Sequence, residues 1–163
     1  MLVAVGLSLA SCTGLPAAQP PPMSQTVDPA AAVEEVVELH RFFAAWFRAE
    51  LPDTDEAFAR FDQAMAPDFE MVVPAGTRVK RVDLVPGLRQ AHGSWADEPD
   101  AVIEVRGAEA RPLAEGLVLV SYEEWQRRDG GWKARRSTAL LRPAADAPGG
   151  FVWLQVHETW MPE

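Results

Sequence analysis

Two apolar runs, LVLVSYEEWQRR (Leu117–Arg128) and WKARRSTALLRP (Trp132–Pro143), flank the tripeptide DGG (Asp129–Gly131). Asp-Gly between two β-prone runs is a strong hairpin signal, because a two-residue turn of this kind needs positive φ at both central positions. If Asp129 and Gly130 form that turn, Glu123 lies opposite Arg136, Ser121 opposite Thr138 and Glu124 opposite Arg135. A three-residue loop would shift the register. One face then carries Leu119, Ser121, Glu123, Trp125, Arg136, Thr138 and Leu140. The other carries Val118, Val120, Tyr122, Glu124, Arg135, Ala139 and Leu141. Both faces mix apolar and charged residues, so alternation does not say which one is concave.

The flanking segments extend the sheet. AVIEVRGAEARP (Ala101–Pro112) precedes the hairpin as a strand, and FVWLQVHETW (Phe151–Trp160) follows it as the last one. Upstream, FEMVV (Phe69–Val73), the turn PAG and TRVKR (Thr77–Arg81) read as an antiparallel pair. The segment VDLVPGLRQAHGS after it fits a short helix, with Asp83 as cap, Pro86 in the first turn and Gly93 at the end.

The N-terminal part of the domain has helical periodicity. DPAAAVEEVVELHRFFAAWFRAE starts at Asp28 as N-cap, with Pro29 at the first helical position. Its apolar residues cover more than one face, which predicts a largely buried helix ending before Pro52. TDEAFARFDQAM fits a shorter helix, capped by Thr54 or Asp55 and stopped by Pro67. Helix, helix, strand, strand, helix and four antiparallel strands make an α+β order, with helices packed on one side of a curved sheet.

Composition narrows the function classes. The 163 residues suit one domain plus a tail, and six Trp and seven Phe supply a core. A formal net charge of −9 disfavours phosphate backbones, so nucleic acid is not an expected partner. The single cysteine, Cys12, excludes an intrachain disulfide. It closes MLVAVGLSLASC, an apolar run too short to span a bilayer, which resembles a bacterial lipoprotein signal with Cys12 as the lipidated residue. The n-region lacks its usual Lys or Arg. Residues 1–27 thus read as a lipobox-like segment and a Pro/Ala-rich tether, and 28–163 as the domain. The alternatives are a membrane-anchored lipoprotein and a cytoplasmic protein starting at Met23.

The element order, together with MAPDFEMVVPAG (Met65–Gly76), SYEEWQRRDGGW (Ser121–Trp132) and LQVHETWMP (Leu154–Pro162), resembles the nuclear transport factor 2-like superfamily. Within it, the chain looks most like the uncharacterised bacterial SnoaL-like domains. The resemblance implies a cone, in which a curved antiparallel sheet wraps around the long N-terminal helix, accompanied by two shorter helices. A pocket is left at the open end. Superfamily members include ketosteroid isomerases, dehydratases, epoxide hydrolases and polyketide cyclases, besides non-catalytic binding and assembly domains that are commonly dimeric. Fold alone does not choose among these.

Strict alternation along the closing strand puts Trp153, Gln155, His157 and Thr159 on one face and Leu154, Val156, Glu158 and Trp160 on the other. His157 and Glu158 therefore cannot form a dyad with each other. No metal site is expected, since the other histidines, His40 and His92, sit in helices, and no cofactor motif is present. The expectation places His157, Gln155, Arg136, Thr138 and Ser121 toward the pocket, roofed by Phe43, Trp46 and Phe47. Three functions compete. The first is a small-molecule-binding domain, homodimeric through its outer sheet face. The second is an isomerase, cyclase or hydrolyase, with His157, Glu123 or Asp68 as general base and Arg136 or Tyr122 stabilising negative charge. The third is an accessory domain anchored through Cys12.

Overall fold

The computed structural model describes residues 27–162. Cys12 and the tether expected over 1–27 lie, but for residue 27, outside the described residues. Three helices, α1 (Pro29–Phe47), α2 (Asp55–Asp62) and α3 (Arg81–Gln90), cover one face of a six-stranded sheet. Its strands are β1 (Met65–Val72), β2 (Arg78–Lys80), β3 (Val102–Pro112), β4 (Val118–Arg128), β5 (Gly131–Pro143) and β6 (Phe151–Trp160), and a 3-10 turn (Ala114–Gly116) links β3 to β4. The sheet order is β2-β1-β6-β5-β4-β3.

The helix starts follow the sequence. Asp28 accepts a hydrogen bond from the Ala30 amide (2.9 Å), with Pro29 as first helical residue. Thr54 accepts from the Ala57 amide (3.2 Å) and caps α2. In each case a side-chain oxygen satisfies an amide that the helix leaves unpaired. Helix α3 departs from expectation. It begins at Arg81 after an extended Lys80 that makes no side-chain cap, so Asp83 falls within the first turn and Pro86 inside the helix. Asp83 still suits the positive end of the helix dipole there.

Asp129 and Gly130 have φ of 50° and 75°, the double positive φ of the two-residue hairpin turn. The register follows: Arg128 pairs with Gly131, Glu124 with Arg135, Glu123 with Arg136 and Ser121 with Thr138. β3 to β6 form the antiparallel meander expected. The long-range link is β1, which runs parallel to β6 and joins the N-terminal hairpin to the closing strand. Register shifts between Arg106 and Glu109 in β3, and between Leu140 and Leu141 opposite β6, mark bulges that bend the sheet around α1.

The core lies between α1 and the concave face. Val36, Leu39 and Trp46 of α1 pack with Val118, Val120, Ala139, Leu141, Phe151 and Trp153 of the sheet. Glu35 is buried in this core. Its carboxylate takes two bonds from the Arg60 guanidinium (2.7 and 3.2 Å) and one from the Trp153 indole N–H (2.9 Å), which ties α1, α2 and β6 together.

Candidate functional site

A cavity of about 170 Å³ opens inside the cone. Its walls are Leu39, Phe43 and Phe47 of α1, Phe61 of α2, Met65, Phe69 and Met71 of β1, and Trp153 and Val156 of β6. Leu84 and Leu88 of α3 and Ile103 of β3 complete the apolar lining. The polar residues are few and gathered at one end: His40, Tyr122, Glu124, Gln126, Arg135 and Glu158. Apolar walls with a small convergent polar group are the usual constitution of a small-ligand pocket.

The bulge at β6 decides which residues reach this cavity. Leu141 pairs with Trp153 and Leu140 with Gln155, which leaves Leu154 as the extra residue. Alternation therefore slips by one at Leu154, and Trp153, Val156 and Glu158 all point inward. On β4 and β5, Tyr122, Glu124, Arg135, Ser137 and Ala139 share that inner face. The slip keeps both apolar ends of β6 in the core, and hydrophobic burial sets strand register in this way.

The same parity sends most of the expected pocket residues elsewhere. Ser121, Arg136, Gln155 and His157 are exposed and Thr138 half-buried on the outer face. Glu123 lies there too, 2.8 Å from Arg136, whose guanidinium holds its carboxyl below the usual range. Asp68 is exposed on β1. Of the three aromatics expected as roof, Phe43 and Phe47 line the cavity. Trp46 is fully buried on another side of α1, stacked on Phe42 with its indole N–H bonded to the Leu88 carbonyl (2.9 Å). The three histidines stay apart. His40 faces the cavity, His92 packs edge-on against Trp46, and His157 sits on the outer face.

The polar end is a charged network built on Glu124. Its Oε1 accepts from the Gln126 amide (2.6 Å) and the Arg135 guanidinium. Its Oε2 accepts from Arg135 Nε (3.0 Å) and faces His40 Nε2 at 3.2 Å. The other histidine nitrogen, Nδ1, donates to the Val36 carbonyl one turn earlier (2.7 Å). Burial opposes the ionised form of Glu124. The hydrogen bond and charge of His40 and the charge of Arg135 outweigh it and hold the carboxyl well below the usual range.

Glu158 has the opposite balance. It is only 5% exposed, and burial pushes its carboxyl up to about 7. Arg135 opposes the rise and the negative charge of Glu124 adds to it. Its Oε1 lies 3.3 Å from Arg135 Nε and 3.4 Å from the Ser137 hydroxyl, and its Oε2 is buried with no hydrogen-bond partner. A buried carboxylate oxygen left unpaired costs on the order of 1–3 kcal/mol or more. Tyr122 completes the end. Its ring packs edge-on against His40 at 5.1 Å, and burial, then the charges of Glu124 and Glu158, raise its phenol well above the ordinary value.

Sequence reasoning had Glu124 opposite Arg135 on the face that proved concave. It missed His40 and Glu158 as members of one group. The available signal was an ionisable residue inside the apolar stripe of a buried helix, and a glutamate between apolar positions of the last strand.

Comparison with known proteins places this architecture in context. The family model for the sucrose-6-phosphate phosphohydrolase C-terminal domain matches residues 32–162, and the chain belongs to that family. A probable sucrose-phosphatase 2 of Arabidopsis thaliana is 26% identical over 137 residues, covering 79% of this chain and 30% of that protein. Sucrose-phosphatase 1 of Nicotiana tabacum is 26% identical over 133 residues, covering 78% of this chain and 30% of that protein. The chain thus spans less than a third of the length of these curated relatives. Among solved structures, an NTF-2-like protein of Pseudomonas aeruginosa superposes with a TM-score of 0.69 at 23% identity, covering 81% of this chain and 99% of that one. The calcium/calmodulin kinase II (CaMKII) hub of S. rosetta superposes with a TM-score of 0.57 at 14% identity, covering 83% and 98%. The fold is that of the nuclear transport factor 2-like proteins, an α+β cone with three helices and an unclosed six-stranded sheet.

Proposed function

We propose that this domain of the sucrose-6-phosphate phosphohydrolase C-terminal family binds a small, mainly apolar molecule in the cone. The observation that carries this reading is a cavity walled by aliphatic and aromatic side chains, with a few polar groups confined to one end. Size supports it, since a dry apolar cavity of roughly 150 Å³ takes up benzene. A sugar phosphate suits the cavity poorly. Its hydroxyls would face apolar walls, and the basic groups present, Arg135 and His40, are already engaged by Glu124. The sucrose phosphatases it resembles are much longer, and in this reading the domain serves as a binding module beside other chemistry. Calorimetric titration with toluene tests it. Saturable binding that Val156→Trp abolishes, with the fold retained by circular dichroism, supports the reading. No binding by the folded wild type would sink it.

The enzyme alternative needs a different base from the ones the sequence suggested. His157, Glu123 and Asp68 do not face the cavity, so acid–base work would fall to Glu158, the enclosed carboxyl that titrates near neutrality.

A second role is supported by the outer sheet face. Trp132 remains 41% exposed there, and the Arg106 guanidinium lies over Trp125 (4.4 Å) and Trp132 (5.2 Å). Exposed aromatics with a stacked arginine are typical of protein interfaces. Two of the structural relatives are hub domains. We infer association with a second copy of this chain through β4, β5 and β6. Light scattering should find a dimer in the wild type and a monomer in Trp132→Glu. A monomeric wild type at micromolar concentration would contradict it.

A further inference from the structure

Resting on the cone-pocket reading, we propose that the ligand is a neutral molecule with one hydroxyl group, anchored by that hydroxyl on the carboxyl group of Glu158. Its side chain is 95% buried, lines the polar end of the cavity, and carries the one buried carboxylate oxygen without a partner among the described residues. Glu124, the other carboxylate of this end, already faces four donor atoms on His40, Gln126 and Arg135.

The groups around Glu158 argue for a neutral hydroxyl. From β5, Arg135 and Ser137 approach Oε1; from β4 come Glu124 and Tyr122; from α1 comes His40; β1 offers only Met71 and its apolar neighbours. Val36 O only accepts, so His40 Nδ1 donates to it. Arg135 lies against both carboxyls, Glu124 and Glu158. An ammonium ligand would bring its desolvation cost into an apolar cavity, and a carboxylate or phosphate would in addition face two carboxyls. A hydroxyl adds no charge. It supplies a further donor to the Glu158 carboxyl, and its apolar body meets the walls.

The carboxyl, shifted to about 7, gives the proposal a pH signature. Ionised, Glu158 accepts from a hydroxyl; protonated, it donates to a carbonyl. Calorimetry from pH 5 to 9 with phenol, toluene and cyclohexanone reads both. Phenol and toluene have nearly the same shape, so their difference isolates the hydroxyl. At pH 8.5 phenol should bind roughly tenfold more tightly than toluene, the scale of one hydrogen bond to a charged acceptor. That advantage should shrink below pH 7, while cyclohexanone gains affinity there. Glu158→Gln should abolish both pH trends. The wild-type pH profiles carry the test even if that variant fails to fold. Toluene binding with no phenol preference and flat pH profiles would overturn the hydroxyl anchor and leave the pocket reading standing. No binding by any of the three would overturn both.

Discussion

Glu158 and Glu124 lie on neighbouring parts of one network and titrate in opposite directions. Glu158 rises from an ordinary value near 4.5 to about 7, so the folded state holds its proton more tightly than the unfolded chain does. Its contribution to stability is complete below about pH 4.5 and is lost as pH rises through 7. The shift corresponds to an order of about 3 kcal/mol. Glu124 is depressed, so its contribution is present above its unfolded value and lost as pH falls below that. Chemical denaturation should therefore show stability declining from pH 5 to pH 8, and Glu158→Gln should remove most of that decline. A wild type whose stability is flat over this range would count against the buried position of Glu158. Arg135 holds both carboxylates, and Arg135→Met should cost about 3–5 kcal/mol, the penalty for stranding a buried charge. If the variant melts within a degree or two of the wild type, the network is not buried as described.

At the scale of elements, the loop between β5 and β6 is fastened by a close approach. A Cβ built on Gly149 would stand 1.5 Å from Glu35 Oε2. Glu35 cannot swing aside, because Arg60 and the Trp153 indole hold its carboxylate. Gly149→Ala should cost about 1–3 kcal/mol in thermal unfolding, the range for overpacking a closed site. An unchanged melting temperature would show that the loop stands further off. Much of the element map was legible in sequence, because caps at Asp28 and Thr54 and the Asp129-Gly130 turn are local chemistry. The N-terminus of α3 was not legible: its first residue follows an uncapped Lys80, with no side-chain signal to read. The parallel pairing of β1 with β6 was equally hidden, since it joins segments some 85 residues apart and depends on tertiary burial.

For the whole molecule, the sheet has a concave and an outer face, and their assignment turned on one residue. The order of elements pointed to the cone, and the register of β4 with β5 followed from the hairpin turn. The concave face could not be chosen from alternation, because each face carries apolar and charged residues in similar measure. Leu154 then shifts β6 by one position, so the pattern of Trp153 no longer runs on to Gln155 and His157. Such a bulge leaves no mark in the sequence; it is the way a strand with apolar residues at both 153 and 156 keeps them in one core. His157 and Glu158, adjacent in the chain, consequently face different environments: solvent on the outer face for one, an apolar cavity for the other. Phenol titrated into isotopically labelled protein and followed by amide chemical shifts separates the two faces directly. Perturbations should concentrate at Tyr122, Glu124, Arg135, Val156 and Glu158 on the inner side. Perturbations centred on Ser121, Arg136, Thr138 and His157, with the inner residues silent, would contradict the account.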